Sequence, residues 1–218
     1  MGIDRNEIAV TYNGLDFSLL DPTRPALEVR AELGLAADDF VLGTAAHLRR
    51  WKRIDRLLEL LRAIQDPRLR LLVVGDGEDR ARLEGVAGDL RLSDRAIFAG
   101  EQVQIGDYLQ TMDAFCLPSM GLESFGNAAV EAAAVGVPTI VFADGGGTTE
   151  HIEPGETGFI VGDAQELAAT MRRLLTDQGL RRRVGGQGRT AIRAKYSLEQ
   201  AASRYEALYE TALRENRA

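Results

Sequence analysis

Cysteine is almost missing from this chain. Cys116 is the only one in 218 residues, which excludes an intrachain disulfide and with it a secreted disulfide scaffold. Histidine is nearly as scarce: His47 and His151 are the only two. There is no Cys/His cluster for zinc, and acid–base work by histidine has few candidates. No apolar run approaches the roughly 20 residues needed to cross a bilayer. The first eleven residues mix charges with apolar side chains, unlike a signal peptide. Positive charge is not in excess, since 26 Lys+Arg stand against 33 Asp+Glu for a net charge of −7. That argues against general nucleic-acid binding, which needs a basic face to displace counterions. There is no Walker loop, no Gly-x-Ser-x-Gly elbow and no Asp-x-Asp dipeptide motif. The expectation is a protein of a reducing, cytoplasmic compartment with no metal site and no resident cofactor.

What is present is a soluble globular composition, 45% hydrophobic and 27% charged. Short apolar runs alternate with longer helical patterns. Residues 40–46, 69–74, 96–99, 114–117, 139–142 and 158–161 read as strands. Helical spacing runs over 54–64, 79–90 and 127–135, the last stopped by Gly136 and Pro138. Several strands lack polar alternation, as expected where helices cover both faces of a sheet. The pattern predicts an α/β fold, a doubly wound Rossmann-like parallel sheet of about six strands. Residues 8–12 also look like a strand, with Asn13-Gly14 as a turn and a meander through Pro22 and Pro25. The C-terminal third is helical over 164–175, 180–194 and 198–213, and Ser197 with Gln200 forms a capping box for the last helix. No linker, low-complexity tract or repeat divides residues 1–218, which read as a single domain.

Ligands of such sheets bind outside the carboxyl ends of the strands, so the residues that follow each strand are the candidates. His47-Leu48-Arg49-Arg50-Trp51-Lys52-Arg53 gathers cations at a strand-to-helix turn. A helix dipole does not favour cations at that end, so an anion site is the better reading, with Lys52 ahead of any single arginine. Gly75-Asp76-Gly77 follows a strand, but Arg80 stands where a dinucleotide fingerprint needs its third glycine. A tight turn and a wall beside a nucleotide both fit it. Glu123-Ser124-Phe125-Gly126-Asn127 could open a helix whose free N–H groups suit phosphate. Glu131, one turn in and surrounded by small apolar residues, needs a partner. Sugar hydroxyls would serve, with Glu123 holding a second set; a solvent-facing glutamate is the plainer alternative. Gly145-Gly146-Gly147 either approaches a ligand or closes a loop. The Glu101-Gln102-Val103 stretch is a wall for a planar base or an ordinary loop. His151 reads as structural.

Taken in order, these residues resemble a family. Val10 to Asp16, Leu48 to Lys52, Val73 to Gly77, Phe98-Ala99-Gly100, Leu117-Pro118-Ser119, Glu123 to Glu131, Gly136-Val137-Pro138, Glu150 and Thr157-Gly158 are similar to the C-terminal, nucleotide-sugar-binding half of a retaining GT-B glycosyltransferase of the group 1, or family-four, type. Glu123 and Glu131 have that family's Glu-x7-Glu spacing. The resemblance implies that Lys52 binds the donor's diphosphate, that Glu131 holds the ribose hydroxyls and that Glu123 stands beside the donor sugar. It implies that the backbone of Phe125, Gly126 and Asn127, next to the candidate Ser124, touches sugar and phosphate, and that Gly75, Gly77, Gln102 and Val103 lie in loops that line the nucleotide. It further implies a metal-independent retaining transfer from a UDP- or GDP-sugar. The family usually has arginine where this chain has His47, so either His47, Arg49 or Arg50 supplies the second cation or the donor is held more loosely.

On this resemblance the family's acceptor-binding N-terminal domain is expected to lie outside these residues. Residues 1–38 would be an interdomain segment and 195–218 a C-terminal helix that crosses back to the missing half. Tyr205, Leu208 and Tyr209 fit that crossing or local packing equally. The isolated chain is then expected to be inactive. A non-catalytic donor-binding subunit awaiting a partner chain would have the same sequence, and an oxidoreductase built on Gly75-x-Gly77 is a third reading. Arg172, Arg173, Arg181, Arg182, Arg183 and Arg189 read first as a solvated helix face. A peripheral site on anionic lipid at a membrane surface is the alternative.

Overall fold

A computed structural model describes residues 8–215. Residues 1–7 and 216–218, the outer ends of the expected interdomain segment and C-terminal helix, lie outside the described residues. Six strands form one sheet: β1 (Phe40–Ala45), β2 (Leu69–Val74), β3 (Ala96–Gly100), β4 (Ala114–Leu117), β5 (Thr139–Phe142) and β6 (Phe159–Val161). Their spatial order is β3-β2-β1-β4-β5-β6 and every pairing is parallel. Parallel neighbours need crossovers: four carry the helices α2 (Asp55–Ala63), α3 (Arg80–Asp89), α4 (Ile105–Leu109) and α5 (Asn127–Ala134), and the one from β5 to β6 carries a 3-10 segment, Gly146–His151. After β6 come α6 (Ala164–Thr176), α7 (Gln178–Lys195) and α8 (Leu198–Glu215), while α1 (Ala26–Glu32) precedes the sheet.

Alternate residues of each strand feed two cores. One face presents Leu42, Leu71, Val73, Cys116 and Ile140 to α2, α3 and α6 through Leu57, Leu61, Leu83 and Met171. The other presents Val41, Leu72, Phe115 and Val141 to α1, α4 and α5 through Val29, Leu109 and Val130. Both faces are covered, which is why the strands carry unbroken apolar runs. α7 passes from one side to the other, with Leu180 and Val184 in the first core and Ile192 in the second.

Residues 8–12 form no strand, although their β-branched composition suggests one. Ile8 and Val10 are 56% and 71% exposed and no sheet edge lies alongside them. The segment is held by side-chain contacts instead: the Tyr12 hydroxyl donates to Glu150 Oε2 at 2.7 Å, and beyond it the Leu15 N–H donates to the Tyr196 carbonyl at 2.8 Å. The meander expected around Pro25 contains α1. Pro25 itself is the residue before its first turn, where a fixed φ and a missing N–H cost nothing. Ser197 Oγ accepts the Gln200 N–H at 3.3 Å, so that half of the expected capping box forms. Local packing fails for Tyr205 and Tyr209, which stand 47% and 67% exposed on α8 with Leu213. None of the described helices is long and apolar enough to cross a membrane.

Candidate functional site

The strand order places β1 beside β4, paired through Leu42–Ala114 and Gly43–Phe115. From β1 the chain turns toward β2 and β3; from β4 it turns the opposite way toward β5 and β6. The two connections diverge and leave a crevice above the strand ends. A cleft of about 400 Å³ occupies it, lined by His47 and Lys52 from the β1 side and by Glu123 to Ala128 and Glu131 from the β4 side. Asn13 closes the outer wall. A second hollow of about 290 Å³ continues toward β2 and β3 and is lined by Gly75, Asp76, Gly77, Glu101 and Gln102. Ala45, Ala46 and His47 border both, so the two are parts of one crevice.

Lys52 ends a short 3-10 turn, Arg50–Lys52, that leaves β1. Its ammonium lies 4.3 Å from the centre of the Trp51 ring and is hydrogen-bonded to Glu123 Oε2. Lys52 and Glu123 are each only 13% exposed. Ser119 Oγ donates to the same carboxylate oxygen at 3.0 Å. The cation at the cleft is thus held by the carboxylate beside it, and an entering anion would share or displace that contact.

Gly126 precedes α5 with φ +80°, in the left-handed region, and supplies no side-chain cap. A Cβ there would come 2.5 Å from the buried Thr148 methyl. Among the described residues the Asn127 and Ala128 N–H groups that open α5 have no partner, and they lie at the cleft wall. Gly145-Gly146-Gly147 does not approach the cleft. Gly147 donates its N–H to the Glu123 carbonyl at 2.8 Å, and a Cβ on it would lie 2.0 Å from the Ser124 oxygen. That glycine run packs backbone on backbone and supports the loop that carries Glu123.

Glu131 projects from the first turns of α5 into the cleft lining. Its carboxylate has no hydrogen-bond partner among the described residues, and burial pushes its pKa above the usual carboxylate range. A half-buried carboxylate without a donor costs stability in the free protein. It is set to accept hydrogen bonds from something that enters.

The remaining candidates divide. His47 lines both hollows, its Nε2 3.5 Å from Glu78 Oε2. Ser124, Phe125, Gly126 and Asn127 line the first hollow; Gly75, Gly77 and Gln102 line the second. Arg49 and Arg50 line neither. Arg49 Nε is 3.7 Å from Glu78 and Arg50 Nη1 is 4.0 Å from Asp79, so both turn toward the start of α3. Val103 is 95% exposed and forms no part of the wall. Arg80 pairs with Asp76 and Glu84 where a third glycine would be needed. Asn13 and Ser119 join the site without having stood out by residue type. Asn13-Gly14 had a sufficient explanation as a turn, and Ser119 became relevant only through Glu123, four residues on.

A crevice at this switch point, with a cation, an open helix end and an unpartnered carboxylate, agrees with the model of the family "Glycosyl transferases group 1", which matches residues 26–191. The chain belongs to the group 1 glycosyl transferases. It is 29% identical over 214 residues to the N-acetyl-alpha-D-glucosaminyl L-malate synthase of Bacillus anthracis, covering 97% of this chain and 55% of that protein. It is 33% identical to the D-inositol 3-phosphate glycosyltransferase of Stackebrandtia nassauensis, covering 83% of this chain and 44% of that one. This group 1 chain therefore spans about half the length of the curated relatives it matches. Among solved structures, Anabaena HepE in complex with UDP superposes with a TM-score of 0.86 at 25% identity, covering 93% of this chain and 57% of HepE. The sheet is accordingly the Rossmann-like C-terminal half of a GT-B fold.

Proposed function

We propose that this group 1 chain is the donor-binding half of a retaining glycosyltransferase and that its crevice holds a nucleoside diphosphate sugar. The observation that carries the reading is Glu131, an unpartnered carboxylate in the same cleft as Lys52 and the open end of α5. Its two oxygens suit a pair of ribose hydroxyls. Lys52 and the N–H groups of α5 take up the diphosphate charge, with charge-assisted hydrogen bonds of roughly 1.5–3 kcal/mol each. The base lies in the second hollow against Gly75, Gly77 and Gln102. Glu123, freed when the diphosphate engages Lys52, turns to the sugar hydroxyls. His47 borders both hollows and is the second group facing the diphosphate. UDP bound to the related HepE supports this class of ligand.

Catalysis on this reading is positioning plus stabilisation of leaving-group charge, and the cations of the protein rather than a metal ion supply that stabilisation. The acceptor's oxygen bonds to the anomeric carbon on the face the diphosphate leaves. The bond from that carbon to the phosphate oxygen breaks, and the departing phosphate takes the acceptor's proton. The acceptor would be bound by a second domain, in the same chain or a partner, against the exposed Tyr205 and Tyr209 of α8; this chain alone would bind the donor weakly without turnover.

A thermal-shift screen with UDP, GDP, ADP and their sugars tests the reading. A ligand at one hundred times its Kd adds about 2.7 kcal/mol to the folded state. One of these diphosphates should raise Tm, and Glu131→Ala should remove the rise. No shift with any of them, or one that Glu131→Ala leaves intact, rejects the assignment.

A further inference from the structure

Behind the turn that starts α5 lies a closed aromatic group. The Phe125 ring meets His151 edge-on at 4.5 Å and Tyr196 at 5.3 Å, and Tyr12 covers the far side, 5.6 Å from Tyr196. His151 has both ring nitrogens engaged. Nε2 lies 2.6 Å from the Phe125 carbonyl oxygen and Nδ1 lies 2.8 Å from the Tyr196 hydroxyl. A carbonyl oxygen only accepts, so Nε2 carries the proton. In the neutral ring Nδ1 is then an acceptor, and Tyr196 donates to it. Burial favours that same neutral form, holding His151 below the usual imidazole range. The tautomer is thus set by its two partners.

The Phe125 carbonyl and the Gly126 N–H belong to one planar trans peptide and point to opposite sides of it. Holding the carbonyl against His151, which does not line the cleft, turns the N–H away from that ring, and Gly126 itself lines the cleft. That N–H has no partner within the described chain. Gly126 alone does not fix this orientation, because a glycine peptide rotates easily.

We propose that His151 is a positioning residue for the donor: by anchoring the Phe125 carbonyl it fixes the Phe125–Gly126 peptide plane, so that the Gly126 N–H, with the first N–H groups of α5, faces the diphosphate. Tyr196 is the second support, since its hydroxyl locks the imidazole tautomer. The role touches no reacting atom. It rests on the reading of the cleft as a nucleoside diphosphate site.

Three variants of the 218-residue protein separate this role from packing. His151→Phe keeps a ring in the cluster and removes the donor. His151→Gln keeps a donor that reaches the carbonyl. Tyr196→Phe removes only the hydroxyl and is the mildest, should His151→Phe not fold. NMR-detected titrations use UDP and GDP against their parent nucleosides, uridine and guanosine. His151→Phe is expected to weaken the diphosphate about tenfold and the nucleoside less than about twofold, with His151→Gln restoring affinity to within about threefold and Tyr196→Phe costing about threefold. In the free protein the Gly126 amide resonance should move in His151→Phe and return in His151→Gln. Equal loss of diphosphate and nucleoside binding, or an unmoved Gly126 amide, overturns the proposal. A wild-type protein that binds none of the four ligands rejects the functional reading of the cleft instead, and the Gly126 amide then decides the anchoring by itself.

Discussion

Two glycine turns lead from a strand into a helix at the same end of this sheet, and they differ in what they leave unpaired. At the β2–α3 turn the charges are matched locally. Arg80 pairs with Asp76 and Glu84 at 2.8 Å each, and Arg82 with Asp79 at 2.6 Å. The Gly77 N–H and Arg80 hold Asp76 below the usual carboxylate range, and Arg82 does the same for Asp79. At the β4–α5 turn the Gly126 N–H is unpaired among the described residues, the helix has no side-chain cap, and Glu131 sits desolvated with no donor among them. The first turn offers a ligand backbone surface and side chains that already have partners. The second is incomplete by itself, and a ligand with a diphosphate and neighbouring hydroxyls completes it. Incomplete polar pairing of this kind is what a stable scaffold avoids and what a binding site requires.

The comparison is open to test, beginning with the largest effect. Lys52→Met leaves Glu123 without its cation in a mostly buried site, and the expected loss of stability is about 2–4 kcal/mol by chemical denaturation. Adding Glu123→Gln should recover part of it; no recovery would mean that the pair is not the source. Gly126→Ala should cost about 2 kcal/mol, since φ +80° and the Thr148 methyl both oppose a Cβ. The contrasting change in α3, Gly85→Ala, meets open space. It should stabilise the protein by about 0.5–1 kcal/mol, the helix-interior difference between the two residues. If both substitutions behave alike, the two helices are not differently constrained.

The smallest effect concerns pH. Burial raises the Glu131 pKa, so the folded state holds its proton more tightly than the unfolded one. The contribution to stability is fully present below the unfolded carboxylate pKa and is lost as pH rises through the folded value. Glu131→Gln, which cannot ionise, should therefore raise Tm by about 1–3 °C at pH 7 and lose that advantage near pH 4. An equal gain at both pH values would locate the effect elsewhere.

The strands were legible because a parallel sheet covered on both faces leaves runs such as Leu71-Leu72-Val73-Val74 without polar interruption. α1 and α4 were not read: each is short, and each sits beside or contains a residue, Pro25 or Gly106, that reads as a breaker. Residues 8–12 show the opposite failure, where β-forming composition met no edge to pair with. At the site, Lys52 stood out in a run of cations after a strand, Glu131 as a carboxylate among small apolar residues, and Glu123 ahead of the same helix start. Their grouping did not, because Lys52 and Glu123 are 71 residues apart. The outward turn of Arg49 and the exposure of Val103 depend on side-chain direction, which spacing along the chain does not carry. The two contacts of His151 lie 26 and 45 residues away and could not have been read locally.

By itself the amino-acid order determined the sheet, its helical layers and the residue types that meet at the strand ends, since hydrophobic periodicity and turn chemistry act over a few neighbouring positions. Tertiary structure alone decided which of those residues face one another: that Glu123 takes Lys52, that Glu131 finds no partner among the described residues, and that His151 holds the loop between them. Those outcomes are set by contacts between strands and helices brought together only on folding, where burial makes a missing partner costly and a matched one worth keeping.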